Sequence, residues 1–341
     1  MTTATAVRKP WMDNLFSNFK PPLGMRSRHM QSLLNSSSLR RCRIMRSSAA
    51  LQNSAEVLTL DGGSGIRLQG LYSKQASKSR GLAVLLHGWE GSVNSNYIVA
   101  SAVRLHDAGF DVFRLNFRDH GNTHHLNPGI FHSCRLDEVI NALRDLQDRL
   151  QAGRWFLAGY SLGGNFSLRV ALNVERAGLN LAQVVAVCPV INPANAMTAM
   201  EQGLRFYEWY FERKWSRSLH AKQACFHELY GDEQWHKIKR VRERTHYLAT
   251  KHAGFDSADS YFEGYSIAGQ RLAPLQVPST LLTSVDDPVV PVSDVEELPA
   301  NPSLEIIIVP YGGHCGFLKN WKLDSLSEDL ILQRFLEACQ A

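Results

Sequence analysis

The 341-residue sequence has no run of about 18 apolar residues, the length that a transmembrane helix needs, so no membrane span is expected. Residues 1–10 also lack the apolar core of a secretory signal. The six cysteines are scattered without metal-ligand spacing, which favours reduced thiols in a cytoplasmic protein. The sequence has no internal repeat and no recognised nucleic-acid-binding motif, so we expect no nucleic-acid partner.

Positive charge is concentrated near the N-terminus. Residues 1–50 contain nine Lys or Arg and a single acid, Asp13. Large apolar residues lie among these charges: Trp11, Leu15, Phe16, Phe19, Leu23 and Met25. One hypothesis is a basic arm that makes weak peripheral contact with anionic lipid. The other, which we favour, is a strap that packs its apolar side chains on the core and leaves its charges in water.

A nucleophile motif of the form G-x-S-x-G occupies residues 159–163. The apolar run 155–158 before it predicts a buried strand, and residues 164–177 after it have helical spacing. A serine on a tight strand-to-helix turn projects toward a substrate, and Gly159 and Gly163 leave room for that turn. We therefore predict that Ser161 is a nucleophile.

A serine hydroxyl needs a base, and the base needs an orienting carboxylate. His314 lies in a glycine-rich loop directly after the predicted strand 304–309, which makes it the candidate base. Asp286 and Asp287 follow the predicted strand 280–283, and either aspartate satisfies the pattern. We favour Asp287, which directly precedes a proline, and expect Asp286 to shape the loop.

The loop after another apolar strand, at residues 82–86, predicts an oxyanion hole. Gly88 allows the backbone to turn toward the nucleophile, so that the N–H groups of Trp89 and Leu162 can hold the developing negative charge. His87 precedes the nucleophile in the chain, so we expect it to shape this loop rather than to act as the base.

Strand-like and helix-like runs alternate along residues 51–192 and 276–341. This alternation predicts an α/β fold with a mostly parallel central sheet and helices on both faces. Residues 1–50 would form the arm packed on this core. Residues 193–275 interrupt the alternation, because they are helix-like and rich in aromatic residues. The insertion precedes the strand that leads to Asp287, so we expect a helical cap or lid over the catalytic edge.

Histidines are unusually frequent between residues 119 and 132. Their spacing matches no standard metal motif, and serine chemistry needs no metal. We therefore expect neither a metal nor a cofactor.

Several motifs occur together: Phe19-Lys20-Pro21-Pro22 with Arg26, His29 and Gln31, then residues 86–92, Asn116-Phe117-Arg118, residues 159–165, Asp286-Asp287-Pro288 and residues 312–317. With these motifs the chain resembles the α/β-hydrolase superfamily from about residue 17 onward. Within that superfamily it is similar to the YheT-like branch, bacterial relatives of the mammalian abhydrolase-domain esterases and phospholipases. One departure is residues 119–125, where a small Gly/Cys/Ser-rich turn is expected, and it leaves substrate preference open.

The resemblance implies a Ser161–Asp287–His314 triad and hydrolysis of carboxylic esters with short to medium acyl chains. It also makes the basic arm a family feature. The sequence therefore predicts a serine carboxylesterase that acts on a small-molecule ester through an acyl-enzyme. Alternatives are an acyltransferase with the same triad, a phospholipase or monoacylglycerol lipase, and a binding protein that has lost turnover. The oligomeric state is not predicted.

Overall fold

The computed structural model describes residue 16 and residues 19–340. The strands are β1 (Ala55–Gly63), β2 (Ile66–Ser73), β3 (Leu82–Leu86), β4 (Asp111–Asn116), β5 (Trp155–Tyr160), β6 (Leu181–Val187), β7 (Ser279–Ser284) and β8 (Leu304–Val309). The helices are α1 (Arg28–Asn35), α2 (Ser38–Ser47), α3 (Ala49–Asn53), α4 (Asn96–Asp107), α5 (Leu136–Leu150), α6 (Leu162–Leu172), α7 (Val174–Ala177), α8 (Pro193–Gln202), α9 (Arg205–Cys225), α10 (His227–Tyr230), α11 (Val241–His252), α12 (Ala258–Tyr265), α13 (Val292–Glu296) and α14 (Leu326–Gln340).

The eight strands form one sheet in the order β1-β2-β4-β3-β5-β6-β7-β8. The β1–β2 and β2–β4 pairs are antiparallel, and the remaining pairs are parallel. Every residue of β3 and β5 is buried, as expected for parallel strands covered on both faces, and this explains their continuous apolar sequences. The prediction of a mostly parallel sheet is confirmed.

Helices cover both faces of this sheet, and β3 illustrates how. Leu82, Val84 and Leu86 belong to one buried cluster, which includes side chains of α5 and α6. Ala83 and Leu85 belong to the cluster on the other face, which includes side chains of α4 and α14. Successive side chains of a strand point to opposite faces, so one apolar run contributes to two cores.

The insertion between β6 and β7 contains helices α8 to α12. Some of its side chains, such as Met197, Met200 and Tyr207, join the cluster on one face of the sheet. Others, including Leu219 and Trp235, form a second, small cluster together with Ile130 of the core. The inserted helices are therefore seated on the sheet and also packed among themselves.

The N-terminal segment packs several of its apolar side chains. Phe16, Phe19 and Met25 are buried, whereas Leu23 is 81% exposed. Trp11 and Leu15, which the sequence also predicts as apolar residues of the strap, lie outside the described residues. Across the part of the chain that the structure describes, none of the helices combines the length and the apolar composition needed to cross a membrane.

Candidate active site

Ser161 occupies a strained turn between β5 and α6, with φ of +54° and ψ of −118°. A Cβ atom on Gly159 would lie 2.1 Å from the carbonyl oxygen of Gly163, and one on Gly163 would lie 2.3 Å from that of Leu86. Neither glycine can therefore carry a side chain. The Ser161 N–H donates to the carbonyl of Val187 at 2.8 Å, which ties the turn to the neighbouring strand.

The structure brings together the three side chains predicted for the triad. The Nε2 atom of His314 lies 2.9 Å from Ser161 Oγ, and its Nδ1 lies 3.0 Å from Asp287 Oδ2. The Asp287 side chain is fully buried, and its Oδ1 accepts hydrogen bonds from two backbone N–H groups, those of Val289 and Val290. All three residues lie at the carboxyl ends of parallel strands, which meet at one edge of the sheet.

Asp286 lies in a different position from its neighbour. Its Oδ1 accepts the Gly313 N–H at 2.9 Å, next to His314 in the chain. Asp287 therefore contacts the imidazole, while Asp286 holds the backbone of the loop that carries it.

The contact with Asp287 controls the protonation of His314. Burial by itself lowers the pKa of the imidazole, but the charge and hydrogen bond of Asp287 outweigh it and raise the pKa above its ordinary value. A carboxylate only accepts hydrogen bonds, so a neutral His314 carries its proton on Nδ1. Its Nε2 lone pair is then directed at the Ser161 hydroxyl, which is the arrangement that a general base needs.

The loop after β3 approaches Ser161 closely. A Cβ atom on Gly88 would lie 3.2 Å from Ser161 Cβ. The Trp89 N–H donates to no acceptor within residues 19–340. Leu162 is the first residue of α6, where a backbone N–H has no intrahelical acceptor. The Trp89 ring stacks on Phe211 of α9, with 5.2 Å between ring centroids, so the cap fixes this side of the loop.

His87 holds the backbone around the predicted oxyanion loop. Its Nδ1 lies 2.7 Å from the Gly88 carbonyl, and its Nε2 accepts the Phe117 N–H at 3.2 Å. Burial lowers the pKa of this imidazole well below its ordinary value. A neutral ring that accepts a backbone N–H through Nε2 has no free lone pair for Ser161, so the structure offers His87 no role as a base.

The histidine-rich segment connects this loop to the cap. His120 Nε2 accepts the Glu90 N–H at 3.1 Å, and burial lowers the pKa of His120 to about 4. The Asp119 carboxylate pairs with Lys222 of α9 at 2.8 Å, and both side chains are buried. These polar groups bind one another across the junction between the core and the cap.

Within residues 19–340, one group of side chains has potential metal ligands close together, namely Cys188, His314 and Cys315, with ligand atoms within 4.8 Å. Both ring nitrogens of His314 already contact Asp287 and Ser161. Burial also raises the pKa of the Cys188 thiol, which opposes the thiolate that a metal needs. A metal at this position would therefore disrupt the triad geometry.

Two cavities meet at Ser161. The first is a largely apolar chamber of about 110 Å³, and most of its walls are cap side chains. Its apolar lining includes Trp89, Leu162, Met197, Met200, Phe211, Trp215, Leu248 and Ala249. The second is a wider polar cleft of about 590 Å³, which also reaches His314. Its polar lining includes Arg41, Glu90, Tyr97, Lys214 and Arg217.

Some residues at the site carry no sequence signal that identifies them. The Tyr97 hydroxyl accepts the Gly88 N–H at 3.1 Å and lies on the polar cleft. Ser32 and Asn35 of α1 contact the His314 loop from more than 270 positions away in the chain. Neither residue belongs to the motif that carries the family resemblance, although Gln31 and His29 of the same helix do.

Comparison with known proteins agrees with this architecture. The model of a family described as alpha/beta hydrolase fold matches residues 83–320. Phospholipase ABHD3 from Bos taurus is 22% identical over 268 residues, which are 77% of this chain and 64% of that protein, so the chain spans less than two thirds of its length. The putative esterase YheT from Escherichia coli is 25% identical over 311 residues, or 89% of this chain and 87% of that protein.

Solved structures add support for the fold alone. The esterase Pf2001 from Pyrococcus furiosus has a TM-score of 0.54 and 16% identity, and the alignment covers 85% of this chain and 92% of that one. The structure of Est1E from Butyrivibrio proteoclasticus with bound ferulic acid has a TM-score of 0.55 at 16% identity, over 83% of this chain and 100% of that one. The predicted fold and the resemblance stated from the sequence are confirmed.

Proposed function

The chain belongs to the α/β-hydrolase family, and on that premise we propose that it is a serine carboxylesterase that cleaves esters of short to medium acyl chains. The observation that carries this proposal is the continuous hydrogen-bonded series from Asp287 through His314 to Ser161. The strained turn at Ser161 and the N–H group of Trp89, which has no acceptor within residues 19–340, support the same chemistry.

The proposed reaction begins when His314 Nε2 takes the proton of Ser161 and Oγ attacks the ester carbonyl carbon. The N–H groups of Trp89 and Leu162 stabilise the oxyanion of the tetrahedral intermediate. His314 then gives its proton to the leaving alkoxide, which departs as the alcohol and leaves an acyl-enzyme. Water repeats the sequence and releases the acid, while Asp287 keeps the imidazole oriented and stabilises its charged form.

The two cavities suggest how an ester would bind. The apolar chamber suits the acyl chain, because burial of each methylene is favourable by about 0.8 kcal/mol. The polar cleft suits the alcohol and gives it a route out after the first step. The chamber is small beside the cleft, which favours acyl chains of limited length.

A phospholipase activity is a second candidate, and the cations of the polar cleft favour it. Arg41, Lys214 and Arg217 line the cleft, and Lys214 Nζ donates to the Glu90 carbonyl at 3.1 Å. Burial raises the pKa of the Glu90 carboxyl to about 8, with Lys214 opposing the rise, which weakens the negative charge beside these cations. Phospholipid and uncharged glyceride substrates with the same acyl chain would distinguish the two activities.

A series of p-nitrophenyl esters from acetate to palmitate tests the main proposal, with Ser161→Ala as the inactive variant. We expect a maximum at short or medium chains and a loss of at least about a thousandfold in kcat in the variant, since the nucleophile is absent. Labelling of the wild-type protein by a fluorophosphonate probe, absent in Ser161→Ala, would identify the reacting residue. Activity of Ser161→Ala near that of the wild type would contradict the proposal. Transfer of the acyl group to added alcohols or thiols in preference to water would instead indicate an acyltransferase.

A further inference from the structure

Helix α1 of the N-terminal segment lies against the loop that carries His314. This loop, residues 312–318, follows β8 and leads toward α14. Helix α1 lies outside residues 83–320, which the family model matches. We propose that α1 positions the general base, with Ser32, Gln31 and Asn35 as positioning residues of the reaction. This inference rests on the proposed function, because it assigns a role to groups that act through His314.

Two hydrogen bonds connect α1 directly to His314 and to the residue after it. Ser32 Oγ accepts the His314 backbone N–H at 2.9 Å, while its own hydroxyl donates to the Arg28 carbonyl at 2.8 Å. Asn35 Nδ2 donates to the carbonyl of Cys315 at 2.7 Å. The backbone on both sides of the His314 side chain is therefore held by one helix.

Gln31 fixes the other end of the loop. Its Oε1 accepts the Leu318 N–H at 2.6 Å, and its Nε2 donates to the Leu318 carbonyl at 3.1 Å and to the Met25 carbonyl at 2.7 Å. The Gln31 side chain is completely buried, so loss of these bonds would leave buried polar groups unpaired.

The helix and the loop are also in close contact at Gly313. A Cβ atom there would lie 2.2 Å from the Arg28 carbonyl oxygen and 2.7 Å from Ser32 Oγ. On its other side the Gly313 N–H is bound by Asp286. The loop is thus held between α1 and the segment that carries Asp287, the partner of His314.

The loop needs such support, because part of its backbone is strained. Cys315 and Phe317 are not glycines, yet their φ values are +61° and +48°. Side chains with a Cβ atom rarely adopt this conformation, and it persists only where surrounding contacts impose it. The bonds from α1 reach Cys315 and Leu318, so they bracket the strained segment.

Helix α1 is itself anchored at two points. The Asn35 side-chain oxygen accepts a hydrogen bond from Arg40, and Arg40 also forms a buried ion pair with Glu328 of α14. At the other end of the helix, His29 Nδ1 lies 3.0 Å from the Tyr207 hydroxyl of α9. The helix therefore joins the cap to the loop of the base, and it can set where His314 lies relative to Ser161.

The test is Ser32→Ala in the full chain, with Ser32→Thr as the conservative variant and Ser38→Ala, an exposed position of α2, as the matched control. A small displacement of a catalytic group reduces turnover strongly, so we expect Ser32→Ala to lower kcat by about tenfold to a hundredfold with little change in KM. Ser32→Thr keeps the hydroxyl and should recover most of the rate, and Ser38→Ala should match the wild type. The rise of the rate with pH should begin at lower pH in Ser32→Ala, because a looser contact with Asp287 raises the pKa of His314 less.

A second variant and a second readout keep the test decisive if Ser32→Ala folds poorly. Asn35→Asp preserves size but cannot donate to the Cys315 carbonyl, so it should reproduce the loss of kcat. The low-field proton resonance of the His314 Nδ1–H should broaden or shift in both variants, and this signal needs no turnover. Wild-type kcat and pH profile in folded Ser32→Ala and Asn35→Asp would overturn the inference. If the wild type hydrolyses no ester, the proposed function fails, and an unchanged low-field resonance in both variants would then overturn the positioning role as well.

Discussion

Narrowing the apolar chamber should shorten the acyl chain that the protein prefers. Ala249 of α11 is 4% exposed and lines this chamber, which holds about 110 Å³. A phenyl ring in its place projects into the space that we assign to the acyl chain. Met197→Ala, on helix α8, is the reciprocal change, because it removes side-chain volume from the wall of the same chamber.

The expected change in kcat/KM follows from the apolar area that the acyl chain of the ester buries. Each buried methylene contributes about 0.8 kcal/mol, which is about fourfold in kcat/KM, so two methylenes contribute about fifteenfold. For the wild type we expect kcat/KM to increase by about fourfold with each added carbon of the acyl chain until the chamber is full. In Ala249→Phe the gain should end at least about two carbons earlier, which lowers kcat/KM for the longer ester by about fifteenfold. Met197→Ala should extend the gain to longer chains.

The assay is kcat/KM across the p-nitrophenyl ester series, with Ala50→Phe, an exposed position of α3 outside both cavities, as the control. Overpacking costs about 1–3 kcal/mol, so thermal unfolding of each variant must first establish that it is folded. A folded Ala249→Phe protein with the chain-length profile of the wild type would refute the assignment of the acyl chain to this chamber.

The remaining predictions concern the base and the junction with the cap. Asp287→Asn should lower kcat by about 10⁴-fold, because an amide does not hold the required tautomer of His314. In the proposed mechanism neutral His314 is the active form, and Asp287 raises its pKa, so the rise of kcat/KM with pH should begin at lower pH in this variant. A pH profile whose rise stays at the pH of the wild type would contradict this role of Asp287. Lys222→Met should destabilise the fold by about 3–5 kcal/mol in urea unfolding, since it leaves the Asp119 carboxylate buried and unpaired. The double variant with Asp119→Asn should recover part of this loss, and a double variant as unstable as the single one would exclude that explanation.

Local patterns of the sequence predict several of the strands. The sequence predicts a strand over residues 304–309, and β8 has the same bounds, although it is an edge strand whose four inner residues are half-buried. The helix expected over 164–177 is divided into α6 and α7 at Asn173. The Asn173 side chain donates to the Arg169 carbonyl at 2.9 Å, and such local bonds compete with the helical backbone. Periodicity does not reveal this competition.

The candidate site was predictable where a residue follows a strand. Ser161, Asp287 and His314 each lie just beyond a strong apolar run, so a sequence pattern is sufficient to propose them. The sequence favours Asp287 but does not separate it from Asp286, since the two adjacent carboxylates follow the same strand. Backbone geometry separates them, because adjacent side chains in a turn point in different directions, one to the imidazole and one to the Gly313 N–H.

By itself the sequence determined the class of the fold and was sufficient to propose the order of the candidate catalytic residues and their chemistry, because each depends on short-range patterns of apolarity and glycine. Tertiary structure alone decided which groups surround the reactive atoms: the chamber and cleft beside Ser161, the pairing of Asp119 with Lys222, and the contact of Ser32 with His314. These contacts join positions about 100 to 280 residues apart in the chain. No local pattern encodes such pairs, since they arise only when the packed sheet and helices bring distant segments together.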